Sequence, residues 1–155
     1  MSLFISSPKL TCPPKSIRLY ILGGQLEIVG VKNAAIDAVY AYFNDSSEIL
    51  CPNLHDVQQV FENTPPDAHM RRLLIAHALF YLFSKKPATV GLPEDWAEVM
   101  QSSGQVGWAM VSMLNEWRWE MGVNVPPMKI KTRQSFHEPV YIDLDGGVKH
   151  EEPMQ

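Results

Sequence analysis

Ala68-His69-Met70-Arg71-Arg72-Leu73-Leu74-Ile75-Ala76-His77-Ala78-Leu79-Phe80-Tyr81-Leu82-Phe83 is apolar on nearly every side after Arg72. A helix without a wet face has to sit at the centre of its domain, so this stretch predicts a buried, central α-helix. Both ends are marked. Thr64-Pro65-Pro66-Asp67 is a start signal, because proline suits the first helical position. Lys85-Lys86-Pro87 sets positive charge against the carbonyl end of the helix dipole and then blocks continuation.

Upstream, the same periodicity recurs. Pro14 opens a helix to about Leu26, with Ile17, Leu19, Tyr20, Leu22 and Leu26 as its apolar side; Gly23 and Gly24 inside it either admit a close neighbour or mark a break. Val31 to Phe43 repeats apolar residues at the spacing of an amphipathic helix and closes on Asn44-Asp45-Ser46-Ser47. Asn53, with Asp56 three residues on, resembles a capping box that starts a short helix through Val57, Val60 and Phe61.

Downstream, Leu92-Pro93-Glu94-Asp95-Trp96 begins another helix. After a break near Ser103-Gly104, a last helix spans about Gln105 to Met121 and presents Trp108, Val111, Met113, Leu114, Trp117 and Met121, with Gly122 as its stop. From Pro126 the periodicity fades. The reading is an all-α bundle of five to six helices over residues 13–122, a lead-in at 1–12, and an irregular tail over 123–155 that is partly extended at Val140-Tyr141-Ile142.

Composition limits the function. The 155 residues carry 13 Lys+Arg against 17 Asp+Glu, a net charge of −4, which disfavours non-specific binding to nucleic acid or anionic membrane. No apolar run approaches the ~18 residues of a spanning helix, and the start lacks a basic, then apolar, signal segment. Cys12 and Cys51 are too few for a disulfide framework. An intracellular address, cytoplasm or nucleus, follows by elimination.

No sequence signature of a catalytic, cofactor or metal site is found, and none is expected. His69 and His77 are eight positions apart, about 80° around one helix and two turns along, too far to share an ion. His77, among Leu73, Leu74, Phe80 and Tyr81, reads as a core histidine. Asp143, Asp145, Gly146 and Glu152 follow calcium-loop spacing, but Tyr141 stands where the first carboxylate belongs, so an Asp-Gly turn is the reading. Trp117 and Trp119 point about 160° apart, so one of them is exposed; exposed tryptophan is characteristic of interface hot spots. Trp119, Met121, Arg71 and Arg72 are therefore the candidate partner contacts, with Glu62 or Asp67 as local counter-charges for the arginine pair.

Two segments together resemble a family. Ser16-Ile17-Arg18-Leu19-Tyr20-Ile21-Leu22-Gly23-Gly24-Gln25-Leu26-Glu27-Ile28-Val29-Gly30-Val31-Lys32-Asn33-Ala34-Ala35-Ile36-Asp37-Ala38-Val39 is similar to the helix pair that follows the core of fungal BTB/POZ domain proteins. Val57 to Thr64, Met70-Arg71-Arg72-Leu73-Leu74 and Leu92-Pro93-Glu94-Asp95-Trp96 match the order of landmarks after it. Gly24 departs from the acidic or polar residue usual there. The BTB core itself is expected to be missing, with Leu3 to Leu10 as a remnant of its last strand and turn, so neither its dimerisation nor ubiquitin-ligase recruitment carries over. The resemblance implies a helical, non-catalytic adaptor or scaffold module that binds protein partners; self-association is compatible with it but not implied. The alternative is a helical domain, enzymatic or carrier, with an apolar small-molecule pocket.

Overall fold

The computed structural model describes residues 14–84, 96–98, 101, 104–121 and 133–140. Among them the chain is all-helical: α1 (Pro14–Gln25), α2 (Val29–Asn44), α3 (Leu54–Asn63), α4 (His69–Ser84), α5 (Gly104–Met121), and a 3₁₀ turn at Arg133–Phe136. No strand occurs among the described residues. Residues 96–98 are helical, while Leu92 to Asp95, where a helix was expected to begin, lie outside the described residues, as do the calcium-like spacing and the expected extension at Tyr141-Ile142.

The central helix is α4, as its composition demands. Met70, Leu73, Leu74, Ile75, Ala76, Ala78 and Leu79 are all buried, and α4 packs against α2, α3, α5 and the 3₁₀ turn. Burying a Leu or Ile side chain stabilises the fold by about 1.5–3 kcal/mol. The run Leu73 to Leu79 therefore dominates the core. Trp96 is buried beside it and donates its indole N–H to the Pro52 carbonyl at 3.2 Å.

The local signals act through specific hydrogen bonds. Asn53 caps α3 by accepting from the His55 N–H at 2.8 Å, which satisfies one amide that the helix leaves unpaired. Gly23 resolves as a close approach. A β-carbon there would lie 3.0 Å from Val31 Cγ1 and 3.2 Å from the Lys32 backbone nitrogen, so α1 and α2 pack without a side chain between them. At the end of α1 the Ile28 N–H bonds the Gly23 carbonyl (2.8 Å) and the Glu27 N–H bonds that of Gly24 (3.2 Å), the paired pattern of a Schellman turn. Its left-handed residue is Glu27, with φ 56°, where glycine is the usual occupant.

Two expected apolar faces shift by a fraction of a turn. On α1, Ile17 and Tyr20 are buried, but Leu19, Leu22 and Leu26 face outward. On α5 the buried stripe is Val106, Met110, Met113 and Trp117, at the i, i+4, i+7, i+11 spacing of one face, while Trp108 and Val111 are exposed.

Candidate functional site

The outer face of α5 carries the largest exposed aromatic surface among the described residues. Trp108 is 73% exposed and Trp119 83% exposed, whereas Trp117 is 7% exposed. At 100° per residue Trp108 and Trp119 lie within about 20° of each other and three turns apart, a separation of about 16 Å along the axis. Val111, also exposed, lies between them. The inward step that buries Trp117 is what turns Trp119 out.

Beside this face, a groove of about 580 Å³ runs between the first two turns of α4 and residues 105–116 of α5. Phe61, Ile75, Met113 and Trp108 give it apolar walls, and Arg72 and Glu116 stand at it as an ion pair with 2.9 Å between Nη2 and Oε1. Both side chains are substantially exposed, so this pair contributes little to stability, at most about 1 kcal/mol. Arg72 therefore pairs across helices with Glu116 rather than with the expected Glu62 or Asp67.

Arg71 is corrected. It is only 7% exposed, and its donors are committed within the chain: Nη2 donates to the carbonyls of Phe61 (2.6 Å) and Thr64, and Nε to Thr64 Oγ1 (3.0 Å). Its guanidinium also lies over the Phe61 ring, 4.5 Å from the centroid. The charge thus satisfies the carbonyl end of α3, which a helix leaves unpaired and partially negative, and does not project toward solvent. Met121 closes α5, and its side chain lies outside the described residues.

A second constellation meets the groove at His69, which lines both, and only fragments of it were legible in the sequence. Part of the stretch read as an irregular tail, Arg133–Val140, is held against α1, α2 and α4. Phe136 is buried 6.5 Å from the Tyr40 ring, and its carbonyl accepts from His69 Nδ1 at 3.2 Å. His137 Nε2 meets Asp37 Oδ1 at 2.7 Å, with Arg133 Nε at 3.9 Å from the same oxygen. Asn33 grips the main chain of Glu138 twice, accepting its N–H at 2.7 Å and donating to its carbonyl at 3.0 Å.

The Glu138 carboxylate accepts from the Tyr20 hydroxyl and from Lys32 Nζ (2.9 Å). The Tyr20 oxygen in turn accepts the Met70 N–H at 3.4 Å, an amide in the first turn of α4 that has no helical partner. Burial opposes ionisation of Glu138, but the hydrogen bonds from Tyr20 and Lys32 outweigh it and hold the carboxyl below the usual carboxylate range. Burial, and then the Glu138 charge, push the Tyr20 phenol well above its usual value.

His77 lies in the core, as its neighbours in sequence require. It stacks on Phe43 at 4.4 Å between centroids and meets the edge of Tyr40 at 6.2 Å; its Nε2 has no hydrogen-bond partner. Burial without a counter-charge depresses its pKa to about 3. Among the described residues no group of three or more His, Cys, Asp or Glu is placed to hold a metal ion, and no helix is long and apolar enough to cross a membrane. Compared with protein-family models, curated proteins and solved structures, the chain has no match.

Proposed function

We propose that this chain is a non-catalytic protein–protein interaction module, of the adaptor or scaffold type that follows a BTB core, and that the outer face of α5 is its contact surface. The observation that carries this reading is the pair Trp108 and Trp119, 73% and 83% exposed on one side of one helix. Leaving two indoles in water forgoes several kcal/mol of burial, and tryptophan is among the residues most enriched in interface hot spots. Arg72 and Glu116 would lie at the polar rim of the contact, where charges orient a partner more than they hold it. Such a module acts inside the cell, in cytoplasm or nucleus, where Cys12 and Cys51 would stay reduced.

The test is capture from the native cell with the full chain and with a Trp108→Ala/Trp119→Ala variant, followed by titration of the recovered partner. Hot-spot truncation costs about 2 kcal/mol or more, so at least about 30-fold weaker binding is expected. A folded double variant that binds the same partners with unchanged affinity overturns the reading. A second reading, a small-molecule site, is favoured by the groove itself, because about 580 Å³ falls in the size range of ligand pockets. A ligand that raises the melting temperature, and fails to do so after Ser112→Trp at the exposed wall fills the groove, would support it.

A further inference from the structure

Residues 136–138 are held in a manner that resembles a bound peptide. Three consecutive residues each supply one anchor, and each anchor meets a different kind of receptor group. Phe136 is inserted among apolar side chains; His137 meets the Asp37 carboxylate at 2.7 Å; the Glu138 carboxylate meets a cation, Lys32 at 2.9 Å, and the Tyr20 hydroxyl. Asn33 pairs with both the N–H and the C=O of Glu138, at 2.7 and 3.0 Å. An amide side chain that reads both main-chain groups of one residue does what a neighbouring strand does for an added peptide, fixing the backbone at that residue whatever side chain it carries. Side-chain selectivity then comes from the apolar socket and from the cation two residues on. The receptor groups all come from α1, α2 and the first turn of α4, and the ligand-like groups come from a segment 67 to 118 residues away in sequence.

We propose that this face is a peptide-recognition site for an aromatic residue followed two positions later by an acid, and that Phe136-His137-Glu138 occupies it as an internal pseudo-ligand. The occupant in trans is a partner polypeptide that carries the same aromatic-x-acid pattern where a tight turn ends, as the 3₁₀ turn does at Phe136. Charge favours such a ligand, because Lys32 and the Tyr20 hydroxyl would otherwise face each other with no anion between them. A segment tethered in the same chain has an effective concentration on the order of mM, so it holds the site closed against weak competitors and yields to strong or locally concentrated ones. Trp108 and Trp119 take no part in this site, which shares His69 with the groove beside α5.

The experiment is a fluorescence-anisotropy titration of a labelled synthetic peptide with the sequence of residues 133–140. It is run against the full wild-type chain and a full-length Phe136→Ala/Glu138→Gln variant. The variant is expected to bind the peptide saturably, with the wild type about 10- to 100-fold weaker. Adding Asn33→Ala to the variant, or making the same two changes in the peptide, should abolish binding. A flat titration with a variant that keeps its helical circular dichroism and a cooperative melt overturns the proposal. If the double variant does not fold, Glu138→Gln alone decides: tighter peptide binding than wild type supports the site, and unchanged binding refutes it. Sedimentation of the wild type should show a monomer; a dimer that the peptide dissociates would mean that a second copy supplies the segment, and would refute a partner in trans.

Discussion

His77→Leu separates burial of a titratable ring from every other effect in this core. The imidazole stacks on Phe43, leaves Nε2 unpaired and titrates near 3 in the native state, against about 6.5 when unfolded. Leucine has nearly the same volume. At pH 8 both states carry a neutral ring, and two effects oppose each other: loss of stacking costs about 0.5–1.5 kcal/mol, while removing an orphaned buried polar atom returns about 1–3 kcal/mol. The variant should then match or slightly exceed the wild type. As pH falls below 6.5 the unfolded state takes up a proton that the native state refuses. The native depression therefore destabilises the wild type progressively between pH 6.5 and pH 3, by about 1.4 kcal/mol per pH unit. Urea titrations of both chains at pH 8 and pH 5 should show the variant gaining about 2 kcal/mol relative to wild type at the lower pH. The carboxylates cancel in that difference, because both chains carry the same ones. A difference independent of pH would refute the reasoning, since it would mean that His77 is protonated in the fold or finds a partner there.

Glu138→Gln removes the charge that Lys32 and Tyr20 share and should cost about 1–2 kcal/mol at pH 7, measured by urea unfolding. Because the native carboxyl is held below its unfolded value, its contribution is present above pH ~4.5 and lost as pH falls through the native pKa; the variant should lack that loss. Glu27→Gly should raise stability by about 0.5–1 kcal/mol, because glycine accepts the left-handed φ of 56° without the clash a β-carbon brings; a lower melting temperature would contradict the turn. Arg71→Leu should cost about 2–4 kcal/mol by stranding the Phe61 and Thr64 carbonyls, whereas Arg72→Leu should change stability by less than about 1 kcal/mol. Chemical denaturation of the two variants side by side would expose any error in that division.

What was legible in the sequence was what local chemistry decides. The run after Arg72 could only be a buried helix, since no face of it tolerates water, and Asn53 capped α3 because a short side-chain oxygen reaches its own helix amides. The opposition of Trp117 and Trp119 followed from helix geometry alone. Arg71 and Arg72 show where such reasoning stops. They are neighbours on one helix, about 100° apart, and only the position of α3 decides which guanidinium turns inward. The Schellman turn at Glu27 was equally hidden, because the glycines that suggest a turn, Gly23 and Gly24, sit before it, and Gly23 serves the packing of α1 on α2. The anchor at Phe136 to Glu138 leaves only a faint mark, one aromatic beside an acid in a proline-flanked polar stretch. Its partners Tyr20, Lys32 and Asn33 are more than 100 residues away, and no periodicity connects them.

Among the described residues two exposed apolar stripes stand out, and their chemistry distinguishes them. Leu19 and Leu22 line α1, with Leu26 and Ile28 just beyond; Trp108, Val111 and Trp119 line α5. Leucine is under-represented among the residues that dominate binding energy, and scattered surface leucines are common enough to need no partner. Tryptophan is the reverse case: it is large, loses little rotamer entropy on contact, and offers an N–H that can bond at a polar rim. The groove of about 580 Å³ also adjoins the α5 stripe, with Trp108 forming part of its wall, so a partner side chain has a concavity to enter beside a flat aromatic surface. On α1, Tyr20 is buried and donates to the Glu138 carboxylate. One helix thus spends its aromatic residue on closing the bundle, and the other leaves two outside.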